Sequence, residues 1–156
     1  MPKLATAAAP DGHGEDSLWH RFVAERFPTA RQRNTLRKAL RCTFDRDHER
    51  RTTIWVVGPS SSGKSALIAI VRRACQSLGV PPSHVRFLLE HTGPLAPEDR
   101  PTVLWMEYTG TRRPKTEDHQ AEHITLDLRR LPARTTTSFV RDVATLDVLR
   151  WMGDRG

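Results

Sequence analysis

Apolar positions fall in short blocks whose period changes along the chain. Residues 1–15, MPKLATAAAPDGHGE, are small and polar, broken by Pro and Gly, and predict a disordered tail. From Asp16 or Ser17 as N-cap, Leu18, Trp19, Phe22, Val23 and Phe27 share one side of a helix. Pro28–Thr29 ends that helix and caps a second, where Leu36, Leu40 and Phe44 form an i, i+4, i+8 stripe. Ile54, Trp55, Val56 and Val57 then run continuously, as in a strand buried on both faces. Helical spacing returns with Leu67, Ile68, Val71, Cys75 and Leu78, and stops at Gly79 and Pro81–Pro82.

Further on, HVRFLLE (84–90) and TVLWME (102–107) predict short buried strands, and HITLDL (123–128) alternates like a half-buried one. Residues 91–101 and 109–120 are loops. A last helix is expected over 139–152, with Phe139, Val140, Val143, Leu146, Leu149 and Trp151 as its apolar surface. The alternation of strands and helices predicts an α/β fold with a mostly parallel sheet flanked by helices. The organisation expected is a tail (1–15), a small basic helical segment (16–51) and an α/β core (52–156).

Composition adds little to this frame. A 156-residue chain with 37% hydrophobic residues has room for one core. No apolar run approaches membrane-spanning length and residues 1–15 lack a signal-peptide core, so the expectation is a soluble intracellular protein with no membrane partner. That places it in the cytoplasm, or in a host nucleus if it is viral. Cys42 and Cys75 are too few for a disulfide framework and read as buried, reduced thiols.

The chemistry is concentrated in GPSSSGKS, between the strand and the helix that follows. Gly58 and Gly63 stand five apart, with Lys64 and Ser65 next, so the segment fits G-x-x-x-x-G-K-[ST] in strand–loop–helix context. Glycines let successive N–H groups turn inward around a phosphate, and the helix start adds its dipole and unpaired N–H groups. Gly58, Pro59, Ser60, Ser61, Ser62, Gly63, Lys64, Ser65 and Ala66 are therefore the expected nucleotide-binding residues of a P-loop NTPase. Lys64 would neutralise the terminal phosphates of ATP, and the Ser65 hydroxyl would take one Mg²⁺ position. A second requirement is a carboxylate to hold the metal's water shell and polarise the attacking water. Glu107, ending the apolar run of TVLWME, is the candidate; Met106 stands where a second acid would often be.

Two predicted helices, IWVVGPSSSGKS, a helix and the Trp-bearing acidic strand VLWME together resemble the superfamily 3 helicases, the AAA-like replicative helicases of small DNA viruses and related phage and viral primase–helicases. The resemblance spans residues 16–110. It implies an ATPase that works as a ring on DNA, with an arginine finger reaching in from a neighbouring subunit. Arg129, Arg130 and Arg134 are the candidates for that finger. The family's sensor strand, which ends in Asn, has no counterpart here; Thr137 or Ser138 offers a hydroxyl instead.

Other features bear on partners. Arg33, Arg37 and Arg41 share one helical face and form a candidate ladder for a DNA backbone, with a solvated helix face as the alternative. Arg112, Arg113 and Lys115 form a second basic loop suited to strand contact. The net charge of +7 suits a polyanionic partner without locating it. HQAEH (119–123) matches H-x-x-E-H, but zinc chemistry there needs a helix, and the sequence turns β-like.

Two other functions stay open. GPSSSGKS equally suits a small nucleoside, nucleotide or metabolite kinase, with Glu90 near the acceptor and LRRLPAR as a lid. A nucleotide-binding partner protein without hydrolysis would account for the single acid and the missing Asn.

Overall fold

The computed structural model describes residues 17–59, 62–88, 100–109, 121–128 and 137–153, with side chains from 140 onward in the last segment. The tail, Ser60, Ser61 and Glu90 lie outside these residues, as do Arg112, Arg113, Lys115, Arg129, Arg130 and Arg134.

Two helices come first. Helix α1 (Leu18–Arg26) is capped by Ser17, whose hydroxyl accepts from the His20 N–H. Helix α2 (Ala30–Phe44) opens on a capping box, with Thr29 and Gln32 each accepting from the other's backbone N–H. Strand β1 (Thr52–Gly58) follows, then α3 (Lys64–Leu78), whose end is closed by bonds from Gly79 N–H and Val80 N–H to the Gln76 and Cys75 carbonyls. Strands β2 (Val85–Leu88), β3 (Val103–Thr109) and β4 (Glu122–Asp127) precede two short helices, α4 (Thr137–Asp142) and α5 (Thr145–Gly153).

The four strands form one all-parallel sheet in the order β2-β3-β1-β4, so the fold is α/β, with helices packed on the sheet. All seven residues of β1 are buried, as the continuous apolar run requires of a central strand. In β4, Ile124, Leu126 and Leu128 are buried while Thr125 and Asp127 are exposed, which is the alternation expected of an edge strand. Two boundaries differ from the sequence reading. β3 continues two residues past Glu107, pairing Tyr108 and Thr109 with Val57 and Gly58. The last helix is broken at Val143–Ala144, where Arg73 takes the Arg141 and Val143 carbonyls and α5 restarts with Asp147 N–H bonding to Ala144 O. Leu146, expected in the apolar surface, is half exposed as a result.

One layer of the core joins the sheet to the helices. Trp105 on β3 is fully buried, and its indole N–H donates to Thr43 Oγ1 of α2 at 2.9 Å; Thr43 in turn donates to Ala39 O at 2.7 Å. At the β4 edge of the sheet, Lys38 of α2 bonds Glu122 of β4, with Arg50 Nε 3.6 Å from the same carboxyl group. Cys42 and Cys75 are both free and buried, and burial pushes the Cys75 thiol up to about 12. Among the described residues no helix is long and apolar enough to cross a membrane.

Two outcomes follow from this packing. Thr43→Val keeps the shape but leaves the Trp105 indole without its acceptor, so urea denaturation should show a loss of about 1–3 kcal/mol with an unchanged m-value. The Lys38 hydrogen bond holds the Glu122 carboxyl below its ordinary range. The folded state therefore releases that proton more readily than the unfolded chain, and the stabilisation is present above the unfolded carboxylate's range and lost as pH falls through the lowered folded value. Lys38 is more than half exposed, so solvent screens the pair. Glu122→Gln should cost about 0.2–1 kcal/mol at pH 7 and nothing at the acid end of a stability–pH series.

Candidate functional site

The loop between β1 and α3 leaves the sheet at the carboxyl end of its central strand, the edge where ligands bind in open parallel sheets. Space there is tight. A Cβ on Gly58 would lie 2.6 Å from the Leu128 carbonyl oxygen, which closes the end of β4 against the loop. Gly63 has φ 98°, ψ 11°, a left-handed conformation, and sits at the N-cap of α3 with no side-chain cap bond. A 15-residue helix thus begins at the loop with its dipole directed into it.

Lys64 is buried, and its ammonium donates to the Gly58 and Pro59 carbonyls, each at 2.8 Å. The side chain therefore curls back over the loop it follows. Ser62 is fully buried and its hydroxyl has no hydrogen-bond partner. An orphaned hydroxyl in such a place is unfavourable by about 1–3 kcal/mol unless a ligand or water meets it.

Ser65, exposed at the start of α3, donates its hydroxyl to Glu107 Oε2 at 2.9 Å. The register explains how residues 42 apart meet. Glu107 pairs with Val56, two residues before the loop, on the sheet face that carries Trp105 and receives the helices. A hydroxyl and a carboxylate side by side at a helix start are the oxygen donors a Mg²⁺ ion takes when waters and substrate phosphates complete its shell. The lysine, the orphaned hydroxyl and this oxygen pair all fit a bound triphosphate with its metal. Ala66, by contrast, is buried at 9% exposure and serves α3 packing.

A groove of about 140 Å³ opens between the first half of α2 and the end of β4. Phe27, Gln32, Thr35, Thr125 and Asp127 are among the residues lining it, and Asp127 pairs with Val57. Among the described residues the outer edge of β4 faces no other strand.

The arginine ladder needs correcting. Arg37 is buried, stacked 4.3 Å over the Trp151 ring, and bonded to Trp151 O and Asn34 Oδ1. Arg33 is half-buried and donates to the Phe27 and Pro28 carbonyls. Arg41 is exposed and reaches Met152 O at 3.5 Å. Arg37 therefore belongs to the core, whereas Arg41 stays at the surface, and the three do not form one continuous exposed row.

Of H-x-x-E-H, His119 lies outside the described residues. Glu122 and His123 are consecutive on β4 and face opposite ways, Glu122 to Lys38 and His123 to the Trp55 indole N–H. Among the described residues no group of three or more His, Cys, Asp or Glu side chains is placed to hold a metal ion.

One residue at the loop escaped the sequence reading. Arg26, the last residue of α1, is 2% exposed and donates through Nε to Ser62 O at 3.3 Å. A signal was available: Trp19, Phe22, Val23 and Arg26 are the buried positions of α1, so an arginine completes the i, i+3, i+4, i+7 stripe.

No protein-family model matches the chain, and no curated protein or solved structure matches it.

Proposed function

We propose that this chain is a P-loop NTPase that binds ATP with Mg²⁺ in the loop between β1 and α3 and hydrolyses it as a helicase-type ATPase acting on DNA. The observation that carries the nucleotide reading is the Ser65–Glu107 bond, which joins the two oxygen donors of the motif pair across the mouth of the loop. Bound ATP–Mg²⁺ supplies the phosphoanhydride and a counter-charge for it. Lys64 would exchange its two loop carbonyls for terminal phosphate oxygens and neutralise the charge there. Ser65 and Glu107 would hold the metal's shell, and Glu107 would orient and polarise the attacking water. The helicase part rests on the resemblance of residues 16–110; the DNA and ring partners it implies are part of the proposal.

A kinase reading has one observation in its favour. The strand that follows β3 ends at Asp127 and runs into Leu128, so no Asn stands where the helicase resemblance asks for a sensor. Phosphoryl transfer to a bound hydroxyl does not call on that residue.

Phosphate release by the purified chain, with and without single-stranded DNA, separates these readings. The expected result is Mg²⁺-dependent hydrolysis stimulated by DNA. Lys64→Ala should abolish nucleotide binding, and Glu107→Gln should retain binding while lowering turnover by about 100-fold or more. Phosphate appearing on a small acceptor would replace the helicase with a kinase, and binding without turnover would leave a non-hydrolysing partner protein.

A further inference from the structure

Arg26 is an expensive residue to bury. Its Nη1 bonds Glu25 Oε1 at 2.8 Å, but Glu25 is 59% exposed, so this pair is screened and does little to offset desolvation. The guanidinium also lies 4.9 Å over the Phe22 ring. What sets the position apart is its reach into the glycine-rich loop. A Cβ on Gly63 would come within 2.7 Å of Arg26 Nε, and the Ser62 carbonyl accepts from that same nitrogen.

The consequence follows from peptide geometry. The Ser62 C=O and the Gly63 N–H belong to one planar trans peptide and point in opposite directions. A cation that holds the carbonyl toward α1 turns the Gly63 N–H away from α1 and polarises the peptide, strengthening that N–H as a donor. The same peptide leads into the left-handed turn at Gly63 and follows the unpartnered Ser62 hydroxyl. We infer that Arg26 is a positioning residue for triphosphate binding: by holding the Ser62 carbonyl it presets the Gly63 N–H for phosphate and makes α1 part of the nucleotide site. This rests on the nucleotide reading of the loop.

The test uses the full chain, with MgATP affinity from calorimetric titration and the Gly63 amide followed by NMR. Arg26→Gln should weaken MgATP by about 10- to 100-fold, as loss of a charge-assisted hydrogen bond predicts. It should also displace the Gly63 amide resonance before any nucleotide is added. Arg26→Lys should recover part of the affinity, because it keeps the charge but not the fixed Nε geometry. Val23→Ala, which loosens α1 without touching the loop, should lower the thermal midpoint and leave affinity and the Gly63 amide unchanged. If Arg26→Gln fails to fold, Arg26→Lys decides by the same two readouts: weakened binding with a displaced amide supports the inference, and wild-type values overturn it. Arg26→Gln binding within about twofold of wild type, or Val23→Ala weakening MgATP equally, also overturns it. In those cases loss of binding in Lys64→Ala keeps the nucleotide reading intact. A wild-type chain that does not bind MgATP removes both.

Discussion

Everything at the site depends on β1 being buried along its whole length. A strand with no exposed residue must have its backbone groups paired on both sides, and β3 and β4 supply that pairing in parallel register. Parallel pairing brings the carboxyl ends of all the strands to one edge. The glycine-rich loop, Glu107 and the end of β4 therefore converge without any direct sequence contact. The register matters as much as the direction. Because side chains alternate, a slip of one residue between β1 and β3 would carry Glu107 to the opposite face, away from Ser65. The Trp105–Thr43 bond locks the same face to α2, so the helical layer guards the register that the site requires.

The loop is where the fold departs from its own packing rules. It is squeezed between the Leu128 carbonyl on one side and Arg26 on the other, and only glycines at 58 and 63 allow the approach. It also carries a buried hydroxyl without a partner and a buried lysine whose ammonium is met by its own loop's carbonyls. Thr43, by contrast, accepts and donates at once, while the indole N–H of Trp19 in α1 is a second buried donor without a partner. The orphaned hydroxyl, the buried lysine and the two glycine-only approaches lie on one strand-end loop, where a bound anion would relieve several of them together.

Much of this was legible in the sequence, and for identifiable reasons. The glycine-rich loop, the buried run before it and the helical spacing after it are local patterns, and local patterns survive translation into structure. Glu107 was legible as the polar end of an apolar run, although β3 carries on to Thr109 because Tyr108 and Thr109 still find partners on β1. The broken last helix was not legible. Its break depends on Arg73, about 70 residues away in sequence, and no periodicity records that contact. The arginine ladder was misleading for the same reason: a shared helical face says which residues point together and leaves open what they point toward.

What those arginines point toward gives the basic composition a physical use. The last carbonyls of a helix lack intrahelical partners and carry the negative end of its dipole, so a cation there is favourable. Among the described helices, α1, α3, α4 and α5 each receive an arginine there, and α2 receives a histidine ring nitrogen. Arg33 holds the Phe27 carbonyl that ends α1, and His84 bonds Cys42 O in the last turn of α2. Arg46 takes Leu78 O at the end of α3, and Arg73 takes Arg141 O and Val143 O at the end of α4. Arg37 and Arg41 reach Trp151 O and Met152 O in the last turn of α5. Each of these side chains comes from outside the helix it caps, so each also ties two elements together. Five of the chain's arginines beyond Arg26 thus bond helix-end carbonyls, although Arg41 and Arg46 remain exposed, and the net charge of +7 does not by itself locate a nucleic-acid surface. Arg37 belongs with the core, and the DNA contact of the helicase proposal falls to cations that stay at the surface.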